Sequence, residues 1–407
     1  MPGVVIVGAC QAGAQTAVSL RELGYEGTVT LVGAEPSSPY ARPPLSKAYL
    51  AGAATAESLS LRNASFYEAQ RIDLVLGDRV VDVDLDGGCA TTDSGRRLPF
   101  DRLALTTGAR VMRLPVPGAD LDGVLYLRDL ADADRLAALL PAARSVVVVG
   151  GGFIGLEAAA VCRAKGKDVT VVEMLPRLVA RAVAPEVSAF YQQAHERRGT
   201  RVCLGRTVTE IVGQEGVSGV RLDDGSELPA DLVLVGIGVR PRVELAEQMG
   251  LELRQGAVVV DQCARTSDPR VVAAGDCTLL PHPLDPGVMV RLESVQNAVD
   301  QAKAAAASLL GLEQPYCSVP WFWSDQDDLK LQIAGLSTGY EEVVVRGEPD
   351  SERFSALYYR AGRLIAIDCV NRTADYLFVR RLLGAGGTLP ADLVSDADVP
   401  LKSLVDV

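Results

Sequence analysis

The sequence predicts an α/β protein: two Rossmann-like dinucleotide-binding domains plus a small C-terminal α+β domain. Two glycine-patterned strand–turn–helix units and a change of pattern after residue 320 carry that prediction. The stronger unit is SVVVVGGGFIGLE, residues 145–157. Four consecutive valines at 146–149 are β-branched and uniformly apolar, as a strand buried on both faces of a parallel sheet requires. Gly150, Gly152 and Gly155 follow at G-x-G-x-x-G spacing, and an Ala-rich helical run then begins. The first glycine allows the tight turn, the second lets a pyrophosphate approach the backbone, and the third lets helix pack on strand. Phosphates then rest on the helix N-terminus, where free N–H groups and the dipole favour negative charge.

A lone G-x-G-x-x-G is weak evidence, but this one has a strand before it, a helix after it and an acid beyond. Glu173 ends a second strand over 168–172, eighteen positions after Gly155. A dinucleotide's ribose hydroxyls need a carboxylate there. Glu173 accepts from a free 2′-hydroxyl and repels a 2′-phosphate, so the motif favours NADH over NADPH. Arg177 and Arg181 nearby oppose that preference without reversing it.

Length and composition bound the remainder. A chain of 407 residues suggests two or three domains, and 48% apolar content is ample for buried cores. No apolar run approaches the 18 or so residues that span a bilayer, and no basic n-region precedes the first strand. The eight cysteines are scattered without a C-x-x-C pair, which reads as reduced thiols of a cytoplasmic protein. With only two histidines, zinc ligation is not expected, so the metal expectation is none. A net charge of −12 argues against nucleic acid as a partner.

In chain order, the N-terminus repeats the organising motif. A strand over 4–7 runs into Gly8, Ala9, Cys10, Gln11, Ala12 and Gly13, followed by a helix over 14–23 and a strand over 28–32 that leads to Glu35. Cys10 takes the middle glycine's place. The prolines of PSSPYARPPLSKAYL preclude a regular helix until about residue 45, so a pinned loop delivers Arg42 and Lys47. That loop holds no cysteine pair, which excludes a dithiol-reducing site. Short strands over 73–76, 79–84 and 89–91 lead to a strand that turns at Gly108. A near-mirror crossover, 230–238, returns the chain through Gly236 and Gly238. The second unit is thus inserted in the first. The expected boundaries are 1–106 with 241–320 for one nucleotide-binding domain, 107–240 for the other, and 321–407 for the C-terminal domain. In that last segment WFWSDQ (321–326) precedes alternating runs at 331–334, 342–346, 354–360 and 363–369, then a helix near 374–383. This alternation is antiparallel in character.

Together these elements resemble the FAD-dependent NADH:ferredoxin reductases of the putidaredoxin reductase type, pyridine nucleotide-disulfide oxidoreductases without a redox disulfide. The markers are RPPLSKAYL (42–50), VVVGGGFIGLE (147–157), TSDP and AAGDC within 266–277, RLESVQNA (291–298) and WFWSDQ. The resemblance implies FAD in the domain of Gly8, Ala12, Gly13 and Glu35, with Arg42, Lys47, Val80 and Arg128 also on the flavin nucleotide. Asp276 and Val295 complete that set. It implies NADH contacts from Gly152, Ile154, Gly155, Glu173, Arg181 and Gly238, with Glu157 and Glu293 beside the nicotinamide. Trp323 would cover the flavin. Three positions depart from the family pattern: Cys10, Ala34 where several members have Asp, and Thr106 in the usual Ala-Thr-Gly.

The implied function is transfer of electrons from NADH through FAD to a 2Fe-2S ferredoxin that serves a cytochrome monooxygenase or ring-hydroxylating dioxygenase. Lys47 and Glu157 are expected to form an ion pair at the hydride-transfer site, Lys47 countering the charge of the reduced flavin and Glu157 placing the nicotinamide. Trp323 is expected at the electron exit. Because the chain is acidic, its partner must dock on a local basic or apolar patch, for which Arg62 and Arg291 are candidates. The rival readings are a rubredoxin reductase, an NADH oxidase or peroxidase, and a signalling flavoprotein. The oxidase and peroxidase usually carry a redox cysteine where Pro43, Pro44 and Leu45 stand.

Overall fold

The computed structural model describes residues 3–405, which form two compact units, each assembled from separated stretches of chain. Residues 3–41, Glu57–Arg110 and Val239–Pro320 make the first. Its parallel sheet runs in the order Ile72–Leu76, Val29–Gly33, Gly3–Val7, Arg97–Leu105, with Val271–Ala273 pairing the last. Gly3–Val7 and Val29–Gly33 are buried at every position, as their apolar runs require. Arg97–Leu105 is longer than the sequence suggests because its first half pairs antiparallel with Cys89–Thr92, which in turn pairs Val80–Asp84. The helix Gln11–Glu22 packs against a 15-residue helix, Val295–Leu309. Ser294 caps the latter by accepting from the Asn297 N–H at 3.0 Å. Its many alanines, buried along most of its length, let the two helices approach closely.

Arg42–Ala56, Val111–Gly238 and residues 321–405 make the second unit. Five parallel strands run in the order Arg201–Leu204, Asp168–Glu173, Ser145–Val149, Leu232–Val235, Val124–Tyr126. The four valines are in the middle of that sheet, each no more than 5% exposed. One face packs against a three-stranded antiparallel sheet, Val208–Gly213, Val217–Leu222 and Glu227–Pro229, through Val147, Val149, Ile211, Val220 and Leu228.

The C-terminal part is a five-stranded antiparallel sheet ordered Trp321–Gln326, Leu329–Gly335, Arg363–Val370, Arg353–Arg360, Glu342–Glu348. The helix Thr373–Gly384 covers it. WFWSDQ is itself a strand, so its side chains alternate between two faces. All eight cysteines are free thiols, and among the described residues no helix is long and apolar enough to cross a membrane.

Asp368 lies wholly inside this sheet, where its Oδ2 accepts from the Tyr358 hydroxyl and its Oδ1 has no partner. Burial pushes its pKa from 3.8 to about 7, with the Tyr358 hydrogen bond opposing. A raised carboxyl pKa means that the native state holds a proton that the unfolded chain releases. Stability therefore falls as pH rises from about 4 to about 7, then levels off. We expect Asp368→Asn to raise stability at pH 8 by about 2–4 kcal/mol and to change little at about pH 4. Thermal melts at the two pH values check this.

Candidate active site

In the first unit the strand Gly3–Val7 ends at Gly8, whose φ of +117° only glycine adopts without strain. A β-carbon at Gly13 would lie 2.0 Å from the Gly8 carbonyl oxygen, so helix and turn touch there without side chains. Cys10 sits at the helix N-cap with φ −127°, an extended conformation open to any residue. Its thiol turns aside to the Tyr40 carbonyl at 3.8 Å, so the backbone of the turn keeps its geometry without the middle glycine. Thr106 does more than its place in the sequence suggests. Its hydroxyl lies 3.0 Å from the Val7 and 2.9 Å from the Gly8 carbonyl, fastening the returning strand to the turn.

Glu35, beyond the second strand, accepts from the Tyr40 hydroxyl at 2.5 Å. Gly275, just before Asp276, comes within van der Waals reach of Ala12, and its N–H donates to Gln301 on the helix that begins at Val295. The first turn, Asp276 and Val295 thus share one end of the first unit. Val80 is buried at the start of its strand. Glu293 forms an ion pair with Arg291, which cancels the charge that Arg291 would offer an acidic partner. Arg62 lies over the Phe66 ring, 5.5 Å from its centroid.

In the second unit Gly150 has φ +109°, and a β-carbon at Gly155 would lie 2.4 Å from the Gly150 carbonyl oxygen. Gly152 caps the helix Phe153–Ala164, and Ile154 in its first turn is 44% exposed. Glu173 reaches back to this turn. Its Oε2 accepts from the Gly151 N–H at 2.6 Å and its Oε1 from the Leu175 N–H at 2.8 Å. The carboxylate therefore shapes the glycine turn. The Arg181 guanidinium lies near Gly238.

Residues 42–56 belong to this second unit, and they carry Lys47 to Glu157. A 3₁₀ turn, Pro43–Ser46, precedes a one-turn helix, Ala48–Ala51. The prolines set the φ of the turn, and Lys47 follows it directly. Lys47 Nζ lies 2.7 Å from Glu157 Oε2 and donates also to the Pro43 carbonyl at 3.0 Å. The lysine side chain is 18% exposed and the glutamate 4%. Two hydroxyls complete the carboxylate. Ser46 Oγ donates to Oε2 at 2.5 Å and Ser324 Oγ to Oε1 at 2.6 Å. A buried carboxylate with a cation and two hydroxyl donors is fully satisfied, so its geometry is fixed. Arg42 donates to the Arg128 carbonyl at 2.5 Å, so those two residues also lie together.

Ser324 reaches Glu157 by strand alternation. Phe322, Ser324 and Gln326 share one face, and Phe322 packs on Phe153 with ring centroids 4.8 Å apart. Trp321 and Trp323 occupy the opposite face with centroids 5.6 Å apart, and Arg380 stacks on Trp321 at 4.8 Å. The structure brings Lys47 and Glu157 together, while Trp323 stands on the face of its strand opposite Ser324; sequence reasoning missed Ser46 and Ser324. Ser46 had a signal, being adjacent to Lys47. Ser324 had only its period-two relation to Phe322.

Two glycine turns of this build in one chain are the frame used by dinucleotide-dependent oxidoreductases. The chain matches the model of the pyridine nucleotide-disulphide oxidoreductase family over residues 2–302 and that of the reductase C-terminal family over residues 321–405. Rhodocoxin reductase of Rhodococcus erythropolis is 46% identical over 400 residues, 98% of this chain and 93% of that protein. The solved ferredoxin reductase for the CYP199A2 system of Rhodopseudomonas palustris superposes with a TM-score of 0.96 at 45% identity, covering both chains completely. The reductase in the covalent putidaredoxin reductase–putidaredoxin complex also reaches 0.96, at 40% identity, over 100% of this chain and 98% of that one. The chain belongs to the pyridine nucleotide-disulphide oxidoreductase family, in the group that includes putidaredoxin reductase.

Proposed function

We propose that this reductase carries electrons from NADH through FAD to a 2Fe-2S ferredoxin that serves a cytochrome monooxygenase or ring-hydroxylating dioxygenase. The observation that carries the reading is the lysine–glutamate pair in a frame without a cysteine pair in the Arg42–Ala56 segment, together with solved relatives that work with ferredoxins.

The residues of the first unit fit a flavin dinucleotide. The turn from Gly8 to Gly13 is tight at its two glycines, the Cys10 thiol between them is turned aside to the Tyr40 carbonyl, and Glu35 offers a carboxylate to the ribose. We assign Ala12, Asp276 and Val295 to the same nucleotide, with Val80 behind it. Arg42, Lys47 and Arg128 are assigned to it as well. Bound FAD supplies a two-electron acceptor that releases electrons one at a time. NADH is assigned to Gly152, Ile154, Gly155, Glu173, Arg181 and Gly238, with Glu293 a further contact. Glu157, immobilised by three donors, orients the nicotinamide. Lys47 holds a positive charge where negative charge develops as the flavin is reduced. Trp323 is assigned to the electron exit. The functional division runs as residues 1–106 with 241–320 for FAD, 107–240 for NADH and 321–407 for the C-terminal domain, and the protein acts in the cytoplasm.

The purified yellow protein, reduced anaerobically with NADH and then offered a two-iron ferredoxin, rubredoxin or oxygen, tests this. Rapid oxidation by the two-iron ferredoxin alone supports the proposal. Rapid oxidation by oxygen with no working iron–sulfur acceptor overturns it in favour of an oxidase. For the NADH site, we expect Gly155→Ala to weaken NADH binding by at least about tenfold, because its methyl group displaces the Gly150 carbonyl. Titration of NADH against the variant measures the loss.

A further inference from the structure

The hydrogen bonds around Glu157 continue beyond Ser324, away from Lys47. Gln326 Nε2 donates to Ser324 Oγ at 3.2 Å, and His195 Nε2 lies 2.8 Å from Gln326 Oε1. All three groups are buried, at 0% exposure for Ser324, 1% for Gln326 and 3% for His195. A carbonyl oxygen only accepts, so the facing imidazole nitrogen must carry the proton. The chain therefore has one polarity: imidazole N–H to amide oxygen, amide N–H to hydroxyl oxygen, hydroxyl O–H to the carboxylate. Ser324 has a single proton. Because Gln326 occupies its oxygen as a donor, that proton is left for Glu157 Oε1. Without the amide N–H, Ser324 is free to turn its proton elsewhere. A glutamine amide does not conduct protons readily, so this is a line that sets orientation and is no proton wire.

We propose that His195, acting through Gln326 and Ser324, is a positioning residue that holds Glu157 in the geometry required for hydride transfer. The inference rests on the reading that Glu157 works at that step. Its residues come from the helix Pro185–Arg197 and the strand Trp321–Gln326, neither of which carries the glycine motifs. Two further observations agree with it. The imidazole is neutral in character, its pKa lowered by burial and the Arg198 charge while the Gln326 bond opposes. Its outer edge also lines a cavity of about 210 Å³ with Arg163 and Arg198, where water could satisfy the second ring nitrogen.

The test uses the FAD-loaded protein and has two independent readouts. In ¹⁵N-histidine NMR, His195 and His282 are the sole signals, and His195 should be the Nε2-protonated tautomer. A proton on Nδ1 instead would overturn the proposal before any kinetics. In stopped-flow reduction by NADH, His195→Phe and Gln326→Leu should each slow the flavin step by about three- to tenfold, the weight of one buried hydrogen bond. His195→Gln, which can place a donor near the same position, should recover to within about twofold. Combining Gln326→Leu with Glu157→Gln should add nothing to Glu157→Gln alone, because the line then has no carboxylate to orient. If Glu157→Gln slows reduction but His195→Phe does not, the positioning line is wrong and the site reading stands. If Glu157→Gln has no effect, the site reading itself falls. Should Gln326→Leu fail to fold, the Phe and Gln variants of His195 and the tautomer still decide.

Discussion

Lys47→Ala is expected to slow reduction of the bound flavin by NADH by about 100-fold while the protein retains its FAD. The substitution removes the cation 2.7 Å from a carboxylate that is only 3% exposed. Two consequences then compound. The negative charge that develops on reduction loses its counter-charge, and Glu157 is left in a buried place with only hydroxyl donors. Retention of FAD is expected because the glycine turn at Gly8 to Gly13 and the carboxylate of Glu35 are untouched. The measurement is anaerobic stopped-flow at the flavin band, beside the ratio of flavin to protein absorbance after gel filtration. Reduction at the parent rate would show that the pair is structural and does not act on the flavin. Loss of FAD would move Lys47 from the hydride step to cofactor retention.

Arg346→Met is expected to cost about 3–5 kcal/mol of stability and to release the C-terminal segment. Arg346 is 1% exposed, and its planar fork is used fully. Its Nε donates to Asp375 Oδ2 at 3.2 Å, one terminal nitrogen to the carbonyls of Val394 and Asp396, and the other to those of Ala397 and Val399. One side chain thus ties residues 394–399 to the edge strand Glu342–Glu348. Methionine matches the volume but leaves four carbonyls without this donor, while Asp375 keeps Arg372 and Ser355. Lysine should rescue poorly, since a point charge cannot serve so many acceptors at fixed angles. Urea unfolding and proteolysis near residue 394 report the two effects separately.

How legible the molecule is depends on the range of the interactions. The parallel strands at Gly3–Val7 and Ser145–Val149 announce themselves because a strand buried on both faces must be apolar throughout. The glycines of the two turns are legible for a similar reason, since contact with a carbonyl at about 2 Å excludes every other residue. The pair of Lys47 and Glu157 was accessible through a family pattern, although 110 residues separate its members. Ser324, Gln326 and His195 were not accessible. Serine, glutamine and histidine are unremarkable in sequence, and their meaning lies in the alternation of a strand whose aromatic residues drew attention to the other face. Arg346 likewise reads as one more arginine until five partners are seen around it. Cys10 reads as a fault in the first motif, yet its backbone lies in a region open to every residue.

The interleaving of the two units has a consequence for how the protein is made. The first unit cannot close until residue 320 has been synthesised, and the second still lacks the strand that carries Ser324 at that point. A ribosome adding roughly 5–20 residues per second therefore exposes a largely unfinished chain for tens of seconds. Release before the final fifth of the message is read would leave Glu157 without one of its hydroxyl donors and the second unit without its five-stranded antiparallel sheet. Neither half of the gene encodes a protein that can be made first and joined later. Residues 42–56, translated near the start, must wait for Arg128 and the helix Phe153–Ala164 before they find their place.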